Sequence, residues 1–354
     1  MRRSSGALPP EVLAMKADSV SFDTLADCTL TGNMATRIRV TWATTTAFCS
    51  LLILIMLSGF AGMPPLSAQA PDPSKIFFAE PTSIALPLPE DRGRDALDQA
   101  LRRLRTTASV MMIVAHPDDE DGPLLTYLSR NLGARTVLFT LTRGEGGQNV
   151  MSADTNDALG ILRTNELLTA DRYYGSRQLW GTEADFGFSK TQEEAFAQWG
   201  HQRVLYDAVL AVRRARPLVI VATFVGAVSD GHGQHQVSGE IAQEVFKAAG
   251  DPKVFPEQLK GGLEPWQPLA VYGMVPFAPI NDKGMMFDYA TGKWAPAQFR
   301  NYVTGEIVKG TLSTDVTIPV GERDPRFGRS YTQIAREGWG EQKSQNGGAN
   351  PTLS

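Results

Sequence analysis

Short apolar runs alternate with longer amphipathic segments through the middle of the chain. Val110–Ala115, Thr136–Leu141 and Leu218–Thr223 are rich in Val, Ile, Leu and Thr and contain no charged residue. This pattern is typical of strands that are buried on both faces of a parallel sheet. We therefore predict that these three runs are strands of one parallel sheet.

Segments with helical character lie before, between and after these runs. Leu97, Leu101 and Leu104 have the spacing of one helix face. Gly133 is a stop signal for the helix that precedes it. The predicted helices cover residues 94–105, 124–132, 157–174, 192–215 (one helix or two) and 240–249.

The order of these elements predicts the fold class. Strand, turn, helix and strand follow one another over residues 110–141, as in a parallel pair joined by a right-handed crossover. We predict an α/β fold of the Rossmann-like type, with a mostly parallel sheet and helices on both faces. Beyond Trp266 the chain is rich in Pro and Gly with short β-like segments, so we expect a short β-rich C-terminal extension.

The N-terminal region has the pattern of a secretory signal peptide at residues 34–70. Arg37 and Arg39 precede the apolar run 47–62, and Ala68-Gln69-Ala70 offers a small-x-small cleavage site. We expect cleavage near Ala70, export to the periplasm or exterior of a bacterium, and no stable membrane span afterwards. A transmembrane anchor is the alternative, and a eukaryotic secretory route would use a similar signal.

These patterns divide the chain into segments. Residues 1–33 precede a plausible start at Met34 and are expected to be disordered, as the product of a mis-assigned upstream start. The remaining segments are a signal peptide at 34–70, a linker at 71–92, a catalytic domain at 93–275, an irregular or β-rich extension at 276–340 and a disordered tail at 341–354.

Composition narrows the class of protein. The 354-residue chain is 42% hydrophobic and 20% charged, which is typical of a globular protein. Its formal net charge of −4 and the lack of a long Lys/Arg run argue against nucleic acid as a partner. Cys28 and Cys49 both precede the expected cleavage site, so any metal in the mature chain must be held by His and carboxylate side chains.

Candidate chemistry follows two of the predicted strands. His116, Asp118 and Asp119 come directly after the first strand, and His232 and His235 follow the third. Because the carboxyl ends of parallel strands meet at one edge of a sheet, these groups can lie together. A catalytic zinc takes three protein ligands and lowers the pKa of its bound water to about 7, so a neighbouring carboxylate can accept the proton. A solvated acidic loop is the alternative.

The same residues resemble those of a known family. AHPDDE at 115–120, followed by His-x-x-His at 232–235, is similar to the LmbE-like/PIG-L deacetylases, and TRGEGGQN at 142–149 and RTNE at 163–166 match further family segments. The resemblance covers roughly residues 105–275. It implies the LmbE-like fold and the zinc-dependent removal of N-acetyl groups from N-acetylglucosamine-type sugars or glycoconjugates.

The resemblance also implies roles for individual residues. His116, Asp119 and His235 match the metal ligands, with Zn²⁺ as the expected ion and Fe²⁺ as a second option for this set. Asp118 matches the general base, and His232 matches the histidine that assists the tetrahedral intermediate. No tyrosine for the oxyanion stands in the short stretch before His232.

On the substrate side the resemblance assigns Arg163, and Glu145 in the Gly-rich loop is a second candidate. Two alternatives are an ion pair between Arg163 and Glu166 along one helix, and a supporting role for Glu145 within its loop. Trp180 and Phe186 could line a sugar subsite or serve only in packing. We expect His201 to be a helix-surface residue.

Two other functions fit parts of this pattern. A metal-dependent phosphoesterase also uses Asp and His at strand ends, although a two-metal site needs further ligands. An exported carbohydrate-binding protein without turnover would keep the metal site but would not depend on Asp118. The sequence does not give the oligomeric state.

Overall fold

The computed structural model describes residues 12–16, 88, 91–275, 280–314 and 316–347. The predicted signal peptide and most of the predicted linker lie outside the described residues. Within these ranges, no helix combines the length and the apolar character that a membrane crossing requires.

The centre of the fold is a parallel sheet. Its strands run in the order β11-β1-β6-β5-β2-β3-β4, and every neighbouring pair is parallel. The strands are β1 (Val12–Lys16), β2 (Ser109–Val114), β3 (Arg135–Thr140), β4 (Arg177–Trp180), β5 (Val219–Ala222), β6 (Ala270–Met274) and β11 (Val316–Thr317). The predicted α/β class with a parallel sheet is confirmed.

Short antiparallel pairs make up much of the C-terminal part. They are β7 (Met285–Asp288) with β8 (Lys293–Pro296), β9 (Gln298–Arg300) with β10 (Ile307–Lys309), and β12 (Arg323–Asp324) with β13 (Arg329–Ser330). The expected β-rich extension is therefore present.

Helices cover the sheet on both faces. They are α1 (Gly93–Arg103), α2 (Gly122–Thr126, continued by a π-helical turn at Tyr127–Asn131), α3 (Asp157–Tyr174), α4 (Gln192–Trp199), α5 (His201–Ala215), α6 (Gly233–Ala248), α7 (Pro256–Lys260), α8 (Tyr331–Trp339) and α9 (Lys343–Asn346). Gly200 separates α4 from α5 at a positive φ of 80°, so the region predicted as one helix or two is two.

Alternate residues of β2 enter two different cores. Met111 and Ile113 pack with α5 and α6, whereas Val110, Met112 and Val114 pack with α2, α3 and α8. The period of two in side-chain direction explains why a continuously apolar run is needed here. Both cores therefore fix β2, whose carboxyl end leads directly into the acidic turn.

We expected both ends of the chain to be disordered, and the structure describes ordered residues at each end. Within residues 1–33, which we expected to be disordered, Val12–Lys16 forms strand β1 and pairs with β6. Its backbone pairs with β6 on one side and with β11 on the other, which explains how a segment without a fold of its own becomes ordered. Removal of residues 1–70 by signal cleavage would also remove this strand.

The C-terminal tail is likewise ordered where the structure describes it. Gln342 is buried and donates to Glu120 Oε1 at 2.5 Å, and Ser344 donates to both carboxylate oxygens of Glu166 at 2.5 and 2.8 Å. Expected disorder over 341–354 is therefore wrong for residues 341–347. A polar segment is ordered here because the buried carboxylate of Glu120 needs hydrogen-bond donors and the half-buried carboxylate of Glu166 accepts two more hydrogen bonds.

Candidate metal centre

The acidic turn folds back on itself directly after β2. The backbone N–H of His116 donates to Asp119 Oδ2 at 2.7 Å, and His116 Nδ1 lies 3.1 Å from the same oxygen. Asp121 caps α2 by accepting from the N–H of Leu124 at 2.8 Å, as expected for an acidic residue at a helix N-terminus. The turn therefore presents His116 and Asp119 as a fixed pair.

The second half of the site is the start of α6. His232 is its N-cap, because His232 Nδ1 accepts from the N–H of Gln234 at 3.1 Å. His235 lies in the first turn of this helix, which begins at Gly233 and not at the predicted residue 240. Phe224 stacks on the His235 ring at 4.0 Å with an interplanar angle of 7°. The two downstream histidines thus belong to a helix start and not to a free loop.

The loop before α6 is fixed by one carboxylate. Asp230 Oδ2 accepts from the backbone N–H groups of Val225, Gly226 and Ala227 at 3.1, 2.8 and 3.0 Å. Burial raises the pKa of Asp230 to about 6, although these backbone donors act to lower it. Because its backbone carbonyl also lies 3.1 Å from His235 Nδ1, Asp230 orients that ring.

Three side chains converge on one point between the two halves. Asp119 Oδ1 lies 3.3 Å from His235 Nε2, and the ligand atoms of His116, Asp119 and His235 all lie within 4.8 Å of one another. His116 is buried, whereas the His235 side chain is 21% exposed, so the point is open on the His235 side. The structure therefore brings together the three residues that the resemblance assigned as metal ligands.

The remaining ring nitrogens show how well these residues fit a metal. His116 Nε2 lies 2.7 Å from Gln234 Oε1, and His235 Nδ1 faces the Asp230 carbonyl, so both are N–H donors to fixed oxygens. His116 Nδ1 and His235 Nε2 are then the nitrogens that face Asp119. Metal-binding histidines in proteins usually have their second nitrogen fixed in this way. The donor set of two imidazoles and one carboxylate fits a divalent cation such as Zn²⁺.

The charges in this cluster depend strongly on one another. Burial disfavours a charged His116, yet the charge and hydrogen bond of Asp119 outweigh it and raise the pKa of His116 to about 9. Burial acts to raise the pKa of Asp119, but His235 and His116 hold that pKa well below its ordinary value. Asp119 is therefore a carboxylate that carries its charge between two imidazoles, as a cation ligand must.

Asp118 is held in an unusual backbone conformation beside this cluster. Its φ is +101°, which is costly for a residue with a side chain. Its N–H donates to Glu120 Oε2 at 2.9 Å, and its Oδ1 accepts from Arg163 Nη2 at 3.0 Å. Burial and the charge of Asp119 raise the pKa of Asp118 to about 6, while Arg163 opposes the rise. Asp118 is thus a carboxyl group that can both accept and release a proton near neutral pH.

Arg163 has a different position from the one the resemblance implies. The side chain is buried, and it donates to the carbonyls of Pro117 and Gly144 as well as to Asp118. Its contacts are with the protein itself, so the geometry gives it the task of positioning Asp118 and offers no support for a substrate contact. The alternative ion pair with Glu166 is not formed either, since Glu166 accepts from Ser344.

Glu145 supports its own loop. Its Oε2 accepts from the N–H groups of Arg143 and Asp185 at 3.2 Å each, which matches the supporting role that we considered as an alternative. Gly146 lies so close to the next loop that an added Cβ would be 2.3 Å from the nitrogen of Gly187. The Gly-rich loop is therefore a close packing contact between two loops at the edge of the sheet.

His232 is a neutral hydrogen-bond donor at this site. Burial, with the nearby charges of His116 and His235, lowers the pKa of His232 to about 3. Since Nδ1 accepts from the N–H of Gln234, the single ring proton is on Nε2. The His232 ring centroid lies 5.2 Å from that of His116 and 4.9 Å from that of His235. The structure therefore places His232 beside His116 and His235, two of the candidate metal ligands.

Sequence reasoning missed Gln234. This fully buried residue donates through Nε2 to Asp185 Oδ1 at 3.2 Å and to the Gly187 carbonyl at 2.9 Å, which leaves Oε1 to accept from His116. In the sequence, Gln234 lies between His232 and His235 and looks like a residue that only separates them. Only the helical phase of the first turn of α6 could have indicated that it points inward.

The sequence also matches one family. Residues 111–246 match the family model of PIG-L, described as GlcNAc-PI de-N-acetylase. The matched range runs from β2 into α6 and includes His116, Asp119 and His235. The match is narrower than the range of roughly 105–275 that we expected.

Comparison with solved structures gives distant similarities. An N,N'-diacetylchitobiose deacetylase from Pyrococcus horikoshii is 20% identical over 50% of this chain and 67% of its own, with a TM-score of 0.39. The 4-carboxy-2-hydroxymuconate hydratase GalB from Pseudomonas putida is 17% identical over 54% and 70%, with a TM-score of 0.37. A conserved protein from Thermus thermophilus is 22% identical over 50% and 70%, with a TM-score of 0.33. No curated protein matches the sequence. At these identities the similarity does not define a reaction.

Proposed function

We propose that this protein is a metal-dependent hydrolase that removes the N-acetyl group from an N-acetylglucosamine-type sugar or glycoconjugate. The observation that carries the proposal is Asp119 between His116 and His235, with Asp118 held beside them. The family match supports the substrate class, because the PIG-L description names a de-N-acetylase.

His116, Asp119 and His235 would hold the metal ion, with Zn²⁺ as the first choice and Fe²⁺ as the second. When bound, the ion supplies a Lewis acid that polarises the acetyl carbonyl and makes a water molecule more acidic. Gln234 and the Asp230 carbonyl keep the two imidazoles in the required orientation.

Asp118 moves the proton in this proposal. It accepts a proton from the attacking water, whose oxygen bonds to the acetyl carbon, and it later donates that proton to the leaving nitrogen as the C–N bond breaks. The products are acetate and the free amino sugar. A pKa of about 6 suits both steps, because the carboxylate form is abundant at neutral pH and the acid form is still accessible.

His232 stabilises the negative charge that develops on the acetyl oxygen. Its Nε2–H is a neutral donor, and its Nδ1 is fixed by the N–H of Gln234 and by Ser189 Oγ at 3.3 Å. A donor that is already oriented costs no reorganisation during the reaction. Because burial and the neighbouring charges lower the pKa of His232 to about 3, its protonated form is scarcely populated at neutral pH, so proton donation falls to Asp118.

We also propose that the protein is exported. The pattern at residues 34–70 supports export to the periplasm or exterior of a bacterium, with cleavage near Ala70. The proposed partner is an N-acetylated sugar or glycoconjugate, and the negative net charge makes nucleic acid an unsuitable partner.

Acetate release by the purified, zinc-loaded chain tests the reaction. N-acetylglucosamine and its β-1,4-linked disaccharide are suitable substrates. We expect Asp118→Asn to lower kcat by about 10²–10⁴-fold with an unchanged metal content. Asp95→Asn, a substitution of a half-buried carboxylate in the first turn of α1, is the matched control and should keep full activity.

Two results would reject the proposal. Phosphate release from a phosphomonoester without acetate release from any acetylated sugar would favour the phosphoesterase. Sugar binding that is equal in wild type and Asp118→Asn, with no acetate release by either, would favour a binding protein.

A further inference from the structure

Two exposed aromatic side chains stand next to the histidine at the start of α6. The Phe188 side chain is 68% exposed, and its ring centroid lies 5.0 Å from that of His232. Tyr289 is 55% exposed, and a β-carbon placed on Gly231 would lie 3.6 Å from its Cδ2 atom. The two rings thus lie against two consecutive residues, Gly231 and His232, directly before α6.

The backbone on each side of Phe188 is tied to the histidine helix. The carbonyl of Gly187 accepts from Gln234 Nε2 at 2.9 Å, and the carbonyl of Ser189 accepts from the N–H of Gly233 at 2.9 Å. Phe186, for which a sugar subsite and packing were both open, packs on Trp199 with the ring centroids 5.7 Å apart. Phe188 is the more exposed of the two rings and the one that lies against His232.

Tyr289 is equally well fixed, although it comes from outside the family match. It lies in the turn between β7 and β8, where Asp288 Oδ1 accepts from the N–H of Ala290 at 2.8 Å and Asp288 Oδ2 from Thr291 Oγ1 at 2.8 Å. The hairpin is anchored to the loop before α6 by a small buried cluster of apolar side chains: Val225, Ala227, Met286, Ala297 and Phe299. The extension thus holds Tyr289 against the same loop that orients His235.

Two exposed aromatic rings on hydrogen-bonded segments beside a polar site offer a surface that a ligand can cover. An apolar side chain in water gains free energy when a ligand covers it, and exposed apolar surface beside a pocket commonly marks a ligand site. A pyranose ring fits this surface, since one of its faces carries only C–H groups while its hydroxyl groups remain at the edge. A ring held there is in contact with His232, which the proposed reaction places at the acetyl oxygen.

We propose that Phe188 and Tyr289 form an aromatic subsite that binds a pyranose ring of the substrate. This inference rests on the proposed deacetylase function and extends it, because it makes the C-terminal extension part of the substrate site. The specificity is then for a closed sugar ring and not for an acetamide alone.

Steady-state kinetics with two substrates test the subsite. One substrate is the β-1,4-linked disaccharide of N-acetylglucosamine, and the other is N-acetylglucosaminitol, which carries the same acetamide on an open chain. For the disaccharide we expect Phe188→Ala and Tyr289→Ala each to raise KM by about 3- to 10-fold with little change in kcat. For the open-chain substrate both variants should resemble wild type.

Two further variants separate this role from a structural one. Tyr289→Phe keeps the ring and should restore most of the affinity for the disaccharide. Leu269→Ala removes an apolar side chain that is 64% exposed at the amino end of β6, the opposite edge of the sheet from the metal centre, and should change nothing.

Calorimetric titration measures binding of the disaccharide independently of acetate release. It therefore distinguishes failure of the proposed subsite from failure of the proposed reaction. If the disaccharide binds only when Phe188 and Tyr289 are both present and no acetate is released, the proposed reaction is rejected and the subsite is retained. Unchanged KM in both alanine variants of an active enzyme would overturn the subsite. Equal losses with both substrates would also overturn it, since the rings would then not recognise the closed sugar.

Discussion

Among the residues that the structure describes, two clusters combine imidazole and carboxylate side chains, and they differ in what surrounds them. The first is His116, Asp119 and His235 at the carboxyl edge of the sheet. The second is His201, Glu240 and Glu244, where His201 Nε2 lies 2.7 Å from Glu244 Oε2 and 3.7 Å from Glu240 Oε1. By residue type alone, both could hold a metal ion.

The two clusters differ in the hydrogen bonds that orient their histidines and in the burial of their side chains. In the first cluster, the distal nitrogens of both histidines donate to fixed oxygens of Gln234 and Asp230, and the side chains of His116 and Asp119 are 8% and 10% exposed. In the second cluster, His201 is 33% exposed on a helix surface, and its other ring nitrogen lies 3.5 Å from the exposed amide of Gln202. On the proposed function, the fixed orientation of the two imidazoles, more than ligand type, distinguishes the candidate metal centre from the second cluster.

The largest expected effect separates the two clusters directly. Asp119→Ala should remove the bound metal and lower acetate release by roughly a thousandfold or more, because it deletes the carboxylate between the two imidazoles. Glu244→Ala should leave both quantities unchanged. Metal content by elemental analysis and acetate release, measured on the same samples, check this pair. Equal loss of metal in both variants would contradict the distinction.

A smaller effect is expected from the residue that positions Asp118. Arg163→Gln removes two hydrogen bonds to carbonyl groups and the charge that holds down the pKa of Asp118. We expect kcat to fall by about 10- to 100-fold. The acid limb of the kcat/KM profile should move to higher pH, because the carboxylate of Asp118 then forms at higher pH. A fall in kcat with an unmoved acid limb would limit Arg163 to a structural role.

Gln234 should affect metal affinity more than chemistry. Gln234→Ala leaves His116 Nε2 without its acceptor, so we expect metal affinity to weaken by about 10- to 100-fold, with activity largely restored by excess zinc. Competition with a chelator measures the affinity. Gln202→Ala, an exposed substitution on α5, is the control and should behave as wild type. Unchanged affinity in Gln234→Ala would mean that His116 needs no such orientation.

The smallest effect concerns the second cluster and is a change in stability with pH. Burial, together with the neighbouring Glu244, raises the pKa of Glu240 to about 7 from an ordinary value of 4.5. The folded state thus holds this proton more tightly than the unfolded chain, so its contribution to stability falls as pH rises from about 4.5 to 7. Glu240→Gln should reduce that fall. Chemical denaturation of both proteins at pH 5 and pH 8 measures it, and an unchanged difference would count against the raised pKa.

Much of the fold followed from local patterns in the sequence. The runs VMMIVA, TVLFTL and LVIVAT lie within one residue of strands β2, β3 and β5, and the helix predicted over 157–174 has those bounds in the structure. Strand β4 was missed because RQLW is short and half polar. Strand β1 and helix α9 were missed because their order depends on contacts with distant parts of the chain, which local sequence does not contain.

The candidate metal ligands were predicted from the sequence, but the residues that orient them were not. His116, Asp119 and a histidine of 232–235 are distinctive residue types at strand ends, so their positions could associate them, and the resemblance then selected His235. The contacts of Arg163, Gln234 and Phe188 depend on which way each side chain points once helices and loops are packed. The resemblance therefore assigned Arg163 to the substrate, whereas the structure places it on Asp118, and no sequence pattern pointed to Phe188.

Anomalous X-ray diffraction at the zinc edge, on crystals of the zinc-loaded protein, tests the central claim most directly. We expect one strong peak within about 2.0–2.2 Å of a nitrogen of His116, a nitrogen of His235 and an oxygen of Asp119. A peak at His201, Glu240 and Glu244 with none at the first cluster would contradict the account, as would zinc-loaded crystals with no peak at either place.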